Sequence, residues 1–303
     1  MATKLGSASI SKLYLGSNEI SKAYLGANEV FSSGDTTSFI TTWRTTTSNE
    51  TITIPTNGSG YNYDLTTSDG QSFTNLFGSK TITFATAGDY DVSISGDFPR
   101  IYINNNATNK VKLIDIKQWG NIVWSSFERA FYFCSNLTGS FTDAPNLTNV
   151  TSFSRAFLDC SSFNQPIGNW DVSNVTDMFA ALAGTSVFNQ PLNNWDISNV
   201  TVMYGMFSRA SSFDQDISDW DITSATNFNF FASNATFSTT NYDAILIGWE
   251  ATLQATFPNG SGYAPNISIN FGSGEYTGGG AAAAARASLV SNFGWSIVDG
   301  GIA

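Results

Sequence analysis

The sequence predicts a mainly β protein in which a solenoid of 25-residue coils is preceded by a small β-sandwich domain and an N-terminal β-repeat arm. The first observation is the motif Phe-Asn-Gln-Pro, which begins at Phe163, recurs at Phe188 and returns as Phe-Asp-Gln-Asp at Phe213. The second is a Trp-Asp pair that follows each copy at the same step. A fixed period of this size is typical of stacked repeats, in which each unit buries its apolar face against its neighbours.

Four segments are predicted along the chain: an N-terminal β-repeat arm (1–34) for anchoring or oligomerisation, a small β-sandwich (35–98), the repeat solenoid (99–240) and a C-terminal capping region (241–303). The arm contains the ten-residue unit Ile-Ser-Lys-x-Tyr-Leu-Gly-x-Asn-Glu twice, starting at Ile10 and at Ile20. Strands this short and few cannot form a core of their own. We therefore expect the arm to fold against another chain.

The predicted sandwich depends on four short alternating segments, at residues 51–54, 61–65, 81–84 and 90–94. Between the second and the third, the pair Asp69-Gly70 is a signal for a tight turn. Several short strands at such spacing are typical of a sandwich.

Within one coil, residues 154–157 are predicted to be a short helical or turn segment, and residues 170–172 and 175–178 to be two strands. The ladder of Val175, Val200 and Ala225 is predicted to point into the core. The tail departs from the period, as a terminal cap does. It is predicted to contain helices at 242–249 and 281–292 and a final strand at 295–298.

These motifs are similar to those of the BspA-like leucine-rich-repeat surface proteins, over about residues 90–301. Phe-Asn-Gln-Pro, Trp-Asp-Val-Ser-Asn-Val-Thr and Ala-Phe-x-x-Cys-Ser carry the resemblance. It implies that the solenoid is leucine-rich-repeat-like and that the function is adhesion or surface binding, and it carries no catalytic motif. The strands before it resemble PKD-like modules, and the first 30 residues resemble short repeats at the start of phage virion proteins.

Composition narrows the classes of function. The net charge of -11, without a basic patch, argues against nucleic acid as a partner, since phosphates would repel the chain. Histidine is absent, which removes the commonest general base and the commonest zinc ligand. The sequence has no apolar run long enough to span a membrane, and residues 1–30 contain no signal-like apolar run, so we expect no membrane insertion and a location in the virion.

Two features of the repeats have alternative interpretations. Cys134 and Cys160, about one period apart, are predicted to be buried thiols in neighbouring coils, with a disulfide as the open alternative. Asp171, Asp196 and Asp221 are expected to cap the turns that follow them, with calcium binding as the alternative. No cofactor or metal site is predicted.

The candidate binding residues follow the same period. An aromatic strip for sugar binding is predicted from three tryptophans and the polar residue before each of them: Trp170, Trp195, Trp220, Asn169, Asn194 and Asp219. The alternative interpretation is that the tryptophans are stacked core residues. A virion anchor is predicted from the apolar residues of the arm: Ile10, Leu13, Tyr14, Ile20 and Tyr24.

The sequence therefore predicts a bacteriophage virion structural protein of fibre or adhesion type. Its N-terminal repeats, residues 1–31, would bind other virion proteins, and its solenoid would bind a host surface protein or polysaccharide. A homo-oligomer, favoured as a trimer, is expected. The alternatives are a bacterial cell-surface adhesin with BspA-like repeats and a capsid decoration protein. A depolymerase would need paired acids in a groove, and nothing singles out such a pair, so no enzymatic activity is predicted.

Overall fold

The structure is a computed structural model that describes residues 13–15, 18–20, 22–25, 28–32 and 35–303. The chain divides into two compact units, Met1–Thr37 and Ser38–Ala303. In the first unit, four short strands form two antiparallel pairs, β1 with β2 and β3 with β4. Their bounds are β1 Leu13–Leu15, β2 Asn18–Ile20, β3 Lys22–Leu25 and β4 Asn28–Ser32.

The second unit begins with an open six-stranded sheet and a separate two-stranded ribbon. The strands are β5 Phe39–Thr45, β6 Glu50–Ile54, β7 Asn62–Thr67, β8 Ser72–Leu76, β9 Lys80–Phe84, β10 Gly88–Asp97, β11 Leu113–Gln118 and β12 Thr138–Gly139. In the sheet the order is β12-β11-β5-β10-β7-β8, and the ribbon pairs β6 with β9. All neighbours in the sheet are antiparallel except β11 and β12, which are parallel.

Alternating apolar residues explain why these segments are strands. In β7, Tyr63 and Leu65 are buried while the residues beside them are exposed. In the ribbon, Ile52 lies opposite Ile82, and both side chains are buried. The four strands predicted at 51–54, 61–65, 81–84 and 90–94 are confirmed as β6, β7, β9 and β10.

The predicted separate β-sandwich is wrong, because the sheet is open and continues into the repeat region. Strand β11 pairs with β5, and Thr138 and Gly139 add the parallel strand β12. The aromatic core continues across the same place, since the rings of Phe39 and Trp119 stack with centroids 5.6 Å apart. Because the first repeats bury the apolar face of the sheet, no second sheet is needed to cover it.

The predicted leucine-rich-repeat-like solenoid is also wrong. Every residue from 140 to 238 is described, and no strand occurs there. The strands expected at 170–172 and 175–178 are replaced by turns and by isolated parallel bridges, such as that between Ser152 and Asp177. Each repeat also contains two residues with left-handed backbone, for example Arg155 (φ 56°) and Asp159 (φ 59°), and both lie in the turn at residues 154–159.

The repeats are nevertheless joined by regular contacts. Phe153 donates its backbone N–H to Asp177 O at 2.8 Å, and equivalent bonds connect the later repeats. The rings of Phe163 and Phe188 are nearly parallel, at 6° and 6.3 Å. The prediction that Val175, Val200 and Ala225 point into the core is confirmed, since each is at most 1% exposed.

Side chains of the Phe-Asn-Gln motif add a second set of contacts between repeats. Asn164 Oδ1 accepts a hydrogen bond from the backbone N–H of Asn189 at 2.9 Å, and Asn189 Oδ1 accepts one from Asp214 in the same way. Gln190 Nε2 donates to Asn164 Oδ1 at 3.0 Å. The motif therefore recurs because each copy satisfies backbone and side-chain groups of the next one.

The C-terminal part contains two helices and four short strands. Their bounds are α1 Thr239–Thr256, β13 Ser268–Asn270, β14 Glu275–Tyr276, α2 Ala281–Ser291, β15 Ser296–Val298 and β16 Gly301–Ile302, with a 3₁₀ turn at Pro258–Gly260. Both predicted helices and the final strand are confirmed, and α1 is longer than predicted. Ser238 caps α1 by accepting from Asn241 N. Among the described residues, no helix is long and apolar enough to cross a membrane.

Candidate functional site

The periodic tryptophans are core residues and not a surface strip. Trp170, Trp195 and Trp220 are 2%, 4% and 1% exposed. Trp195 Nε1 donates to Ile167 O at 2.9 Å, and Trp220 Nε1 donates to Leu192 O at 3.0 Å, so each indole joins two repeats. The predicted aromatic strip is therefore not formed by these residues, and the alternative of a stacked core describes them.

The polar flanks of the tryptophans are exposed, and two of them share a shallow groove. Asn169 and Asn194 line a cavity of about 300 Å³ together with Pro166 and Pro191. Asp219 is exposed and is not part of its lining. The structure thus brings together two of the six predicted binding residues at one surface site, without an aromatic ring from the tryptophans.

The aspartates beside the tryptophans cap turns. Asp171 Oδ1 accepts hydrogen bonds from Ser173 N at 3.2 Å and from Ser173 Oγ at 2.6 Å. Asp196 and Asp221 repeat this arrangement with the Ser or Thr two residues later. The bonds from Ser198 lower the pKa of Asp196. The turn-capping interpretation is confirmed, and within the described residues no group of three or more His, Cys, Asp or Glu could hold a metal ion.

Cys134 and Cys160 are buried free thiols, as the first interpretation of the pair predicted. Burial raises the pKa of both thiols, so the thiolate form is disfavoured. The Cys160 thiol donates to Phe131 O at 3.0 Å. These residues therefore contribute packing between neighbouring repeats.

An aromatic column that sequence reasoning missed lies on another side of the repeats. The rings of Phe179 and Tyr204 are parallel within 3°, with centroids 4.7 Å apart, and the Arg155 guanidinium lies 4.3 Å from the Phe179 centroid. Phe230 continues the column at 5.4 Å from Tyr204, but it is tilted by 59° and is 55% exposed. Because the other rings cover each other's faces, Phe230 is the ring that presents an open surface.

A periodic signal for this column was present in the sequence. Phe179 and Tyr204 are 25 residues apart, and each directly follows a core methionine, Met178 or Met203. Phe230 does not follow this period, because Asn229 occupies the equivalent position and Phe230 comes one residue later.

A charged groove of about 710 Å³ lies where the sheet meets the first repeats. Asn136, Thr138 and Ser162 extend the groove into the repeat region. Strands β5, β10 and β11 contribute its charged side chains, which are Arg44, Asp89, Asp91, Asp115 and Lys117. Neighbouring antiparallel strands place these residues side by side on one face. The charged groove therefore depends on the register of the sheet.

Hydrogen bonds fix most of the charges in the charged groove. Arg44 binds Asp89 with two bonds of 2.7 Å, and Lys117 Nζ lies 2.7 Å from Asp91 Oδ2. Thr42 Oγ1 donates to Asp91 Oδ1 at 2.7 Å. The hydrogen bond from Arg44 lowers the pKa of Asp89, so this carboxylate stays ionised at neutral pH and accepts hydrogen bonds.

One carboxylate oxygen beside the charged groove has no hydrogen-bond partner among the described residues. Asp115 Oδ2 accepts from Ser140 Oγ at 2.7 Å. Asp115 Oδ1 is buried and has no hydrogen-bond partner in the described part of the chain. An unsatisfied buried carboxylate oxygen costs free energy, so the fold keeps Asp115 at this place against a local penalty.

An uncharged groove of about 510 Å³ lies at the other end of the repeats, beside Phe230. Its lining combines this aromatic ring with hydroxyl, amide and backbone groups: Phe230, Ser233, Asn234, Ala235, Thr236, Asn270, Gly272 and Ser273. Ala232 donates its backbone N–H to Asn270 O at 2.8 Å, which fixes β13 against the last repeat.

The predicted anchor lies in the first unit. Ile10 is outside the described residues. Leu13, Tyr14, Ile20 and Tyr24 lie in strands whose backbone is described, while their side chains are outside the described part. The anchor stays a prediction.

Comparison with known proteins gives a family likeness for the repeats. Residues 125–244 match the family model described as "Mycoplasma protein of unknown function, DUF285". No curated protein and no solved structure matches the chain. The description names no activity, so arguments about function depend on the geometry of the grooves.

Proposed function

We propose that this protein is a noncatalytic attachment protein, of virion fibre or adhesion type, that binds polysaccharide on a host surface. Binding is assigned to the unit of residues 38–303, and residues 1–31 are proposed to join it to other virion proteins. A homo-oligomer, a trimer, would present several copies of the binding unit. Several copies raise the effective concentration, so weak single-site affinity is enough for firm attachment.

The observation that carries this proposal is the charged groove, whose lining combines carboxylates, an ammonium and hydroxyls. Sugar hydroxyls both donate and accept hydrogen bonds, which matches a surface of carboxylates, an ammonium and hydroxyls. A hydroxyl in the groove would accept from Lys117 Nζ and donate to an exposed carboxylate of the lining such as Asp89. Because the ion pairs hold Arg44 and Asp89 in place before binding, little side-chain entropy is lost when the ligand enters.

The state of Asp89 argues against one role in turnover, that of a general acid. A glycosidase needs one carboxyl group that is protonated at working pH and gives its proton to the leaving group. The pKa of Asp89 is lowered by Arg44, which is the opposite direction. The ion pair therefore makes Asp89 a fixed hydrogen-bond acceptor.

The test is to incubate the full-length purified protein with host cells and with their extracted polysaccharide. Retention of the protein and release of reducing ends are both measured. We expect retention without release. Steady release of oligosaccharide would contradict the noncatalytic proposal, and absence of retention on every host surface would contradict attachment.

A charge-matched pair of variants locates the binding. Asp115→Asn removes the acceptor charge in the charged groove and should weaken retention by about tenfold, which corresponds to about 1.4 kcal/mol. Asp97→Asn makes the same change at an exposed position of β10 outside the groove and should bind as the unmodified protein does. Equal retention by both variants would exclude the charged groove as the site.

A further inference from the structure

We infer that the uncharged groove is a second saccharide subsite, which binds a neutral hexose polymer across the ring of Phe230. The inference rests on the proposed function for the class of ligand, and it concerns a separate site. The charged groove is built by strands β5, β10 and β11, whereas the uncharged groove is built by the last repeat and β13.

The aromatic part of this subsite is already exposed. Phe230 is 55% exposed, and its backbone is left-handed with φ 59°. Bulky residues rarely adopt this conformation, and the equivalent positions of the two preceding repeats hold Ala180 and Gly205. The last repeat thus places a large ring where the two preceding repeats place a small residue. One ring face is enough to pack against the apolar C–H face of a pyranose.

The polar part contains a hydroxyl that needs a partner. Ser233 is 9% exposed, and its Oγ forms no hydrogen bond within the described part of the chain. Ser233 lines the uncharged groove, three residues after Phe230. Serine has three staggered side-chain rotamers, so rotation can turn this hydroxyl from the wall of the groove towards a ligand. A sugar hydroxyl would then supply the missing partner.

Two amides complete the polar part. Asn270 Oδ1 accepts from Gly272 N at 2.7 Å, which fixes the amide and leaves its Nδ2 as a donor. Asn234 is exposed and lies at a left-handed position with φ 61°. Donors and acceptors therefore converge around one open ring, as in sites that orient a small polar ligand.

The floor of the groove is set by backbone contact. A Cβ atom on Gly272 would lie 2.0 Å from Ala235 O, so a residue with a side chain cannot take this place without a shift of the backbone. Gly272 also has φ 65°, which glycine adopts at low cost. The close approach of these two segments keeps the subsite in its shape before a ligand arrives.

Charge selects the neutral class of saccharide. No Asp, Glu, Lys or Arg is among the residues that line the uncharged groove. The chain carries a net charge of -11, which disfavours a polyanionic ligand at a site without a cation. An uncharged hexose polymer needs no cation in the groove and is not repelled by the negative charge of the chain.

The experiment is affinity electrophoresis of the full-length protein in gels that contain a glucan, a mannan, a galactan or, as the anionic comparison, polygalacturonate. The variants are Phe230→Ala and Ser233→Ala, with Phe77→Ala as the matched control, because Phe77 is a 70% exposed ring outside the groove. Removing the unpartnered Ser233 hydroxyl leaves no other protein group unsatisfied, so this variant is expected to fold.

We expect at least one neutral polymer to retard the unmodified protein and Phe77→Ala equally. Phe230→Ala should lose about tenfold or more of that affinity, and Ser233→Ala about threefold to tenfold. If the neutral polymer retards all variants equally, the subsite is excluded while the proposed function stands. Binding of polygalacturonate alone also overturns the inference. If no polysaccharide retards the protein and host cells do not retain it either, both the inference and the proposed function fail.

Discussion

The sheet and the repeats of the same compact unit are stabilised by different kinds of contact. In the sheet, strands pair over long registers, and ion pairs link neighbouring strands, such as Arg44 of β5 with Asp89 of β10 at 2.7 Å. In the repeats, each unit is mostly turns, and neutral side chains such as Asn164 and Asn189 satisfy the next repeat. Electrostatics therefore matter for the sheet, whereas packing and neutral hydrogen bonds matter for the repeats.

This difference has a consequence for ligand binding. The charged groove arises from the sheet, where charged side chains on adjacent strands meet. The uncharged groove arises from the last repeat, where the surface is made of Asn, Ser, Thr and aromatic residues. One molecule thus offers two chemically different surfaces to a polymer.

The largest effect is expected from a charge in the core of the repeats. Val200→Asp places a carboxylate at a fully buried position and should destabilise the unit by about 4 kcal/mol or more. Because neighbouring repeats support each other, several should unfold together. Urea unfolding followed by circular dichroism measures this. Val187→Asp, at a position 45% exposed, is the control and should change stability by less than about 0.5 kcal/mol. An unchanged unfolding curve for Val200→Asp would refute the buried ladder.

A smaller effect is expected from the hydrogen bond of a repeat tryptophan. Comparing two Trp→Phe variants separates the loss of this bond from the loss of side-chain volume. Trp195→Phe removes one of two donors to Ile167 O, which keeps its hydrogen bond from the backbone N–H of Trp170. Trp170→Phe removes a similar volume, but Trp170 Nε1 has no hydrogen-bond partner among the described residues. We expect Trp195→Phe to cost about 0.5–1.5 kcal/mol more than Trp170→Phe in the free energy of unfolding. Equal costs would mean that the indole N–H does not link the repeats.

The smallest effect is a dependence on acid at Glu50, in strand β6 of the two-stranded ribbon. The hydrogen bond from Lys112, followed by those from the backbone of Thr46 and Thr47, lowers the pKa of Glu50 to about 2 from its ordinary 4.5. A lowered pKa in the folded state adds stability above pH 4.5, and this contribution is lost as the pH falls towards 2.

Urea unfolding at a series of pH values tests this contribution. Glu50→Gln should be less stable than the unmodified protein at pH 6, and the difference should shrink between pH 4.5 and pH 2. The exposed Glu275→Gln is the control and should follow the unmodified protein. A difference for Glu50→Gln that stays constant over this range would contradict the role of the Glu50 pair.

Local patterns predicted the elements well, because alternation and helical periodicity report burial directly. The strands β6, β7, β9 and β10, helix α2 and the buried ladder around Val200 were predictable in this way. The strands expected inside the repeats were not formed, since neighbouring repeats meet there through turns and single parallel bridges, such as Ser152 with Asp177, and not through a continuous ladder. The joining of β11 to β5 is a long-range pairing that period and composition leave undetermined.

The candidate sites were predictable only in part. Asn169 and Asn194 were found by their period, and they do share a groove. Period alone does not tell a buried aromatic ladder from an exposed one, so the tryptophans were candidates while Phe179 and Tyr204 were not identified. The two main grooves combine residues far apart in sequence, such as Asp89 with Asp115 and Phe230 with Asn270.

The most direct test of the central claim is amide hydrogen exchange of the full-length protein, followed by mass spectrometry, with and without host polysaccharide. Exchange slows where a ligand covers or stabilises backbone groups. We expect protection in two separate regions, around residues 40–44 with 112–118 and around residues 230–236 with 268–273. Protection confined to other parts of residues 38–303, or no protection at saturating polysaccharide, would contradict this expectation.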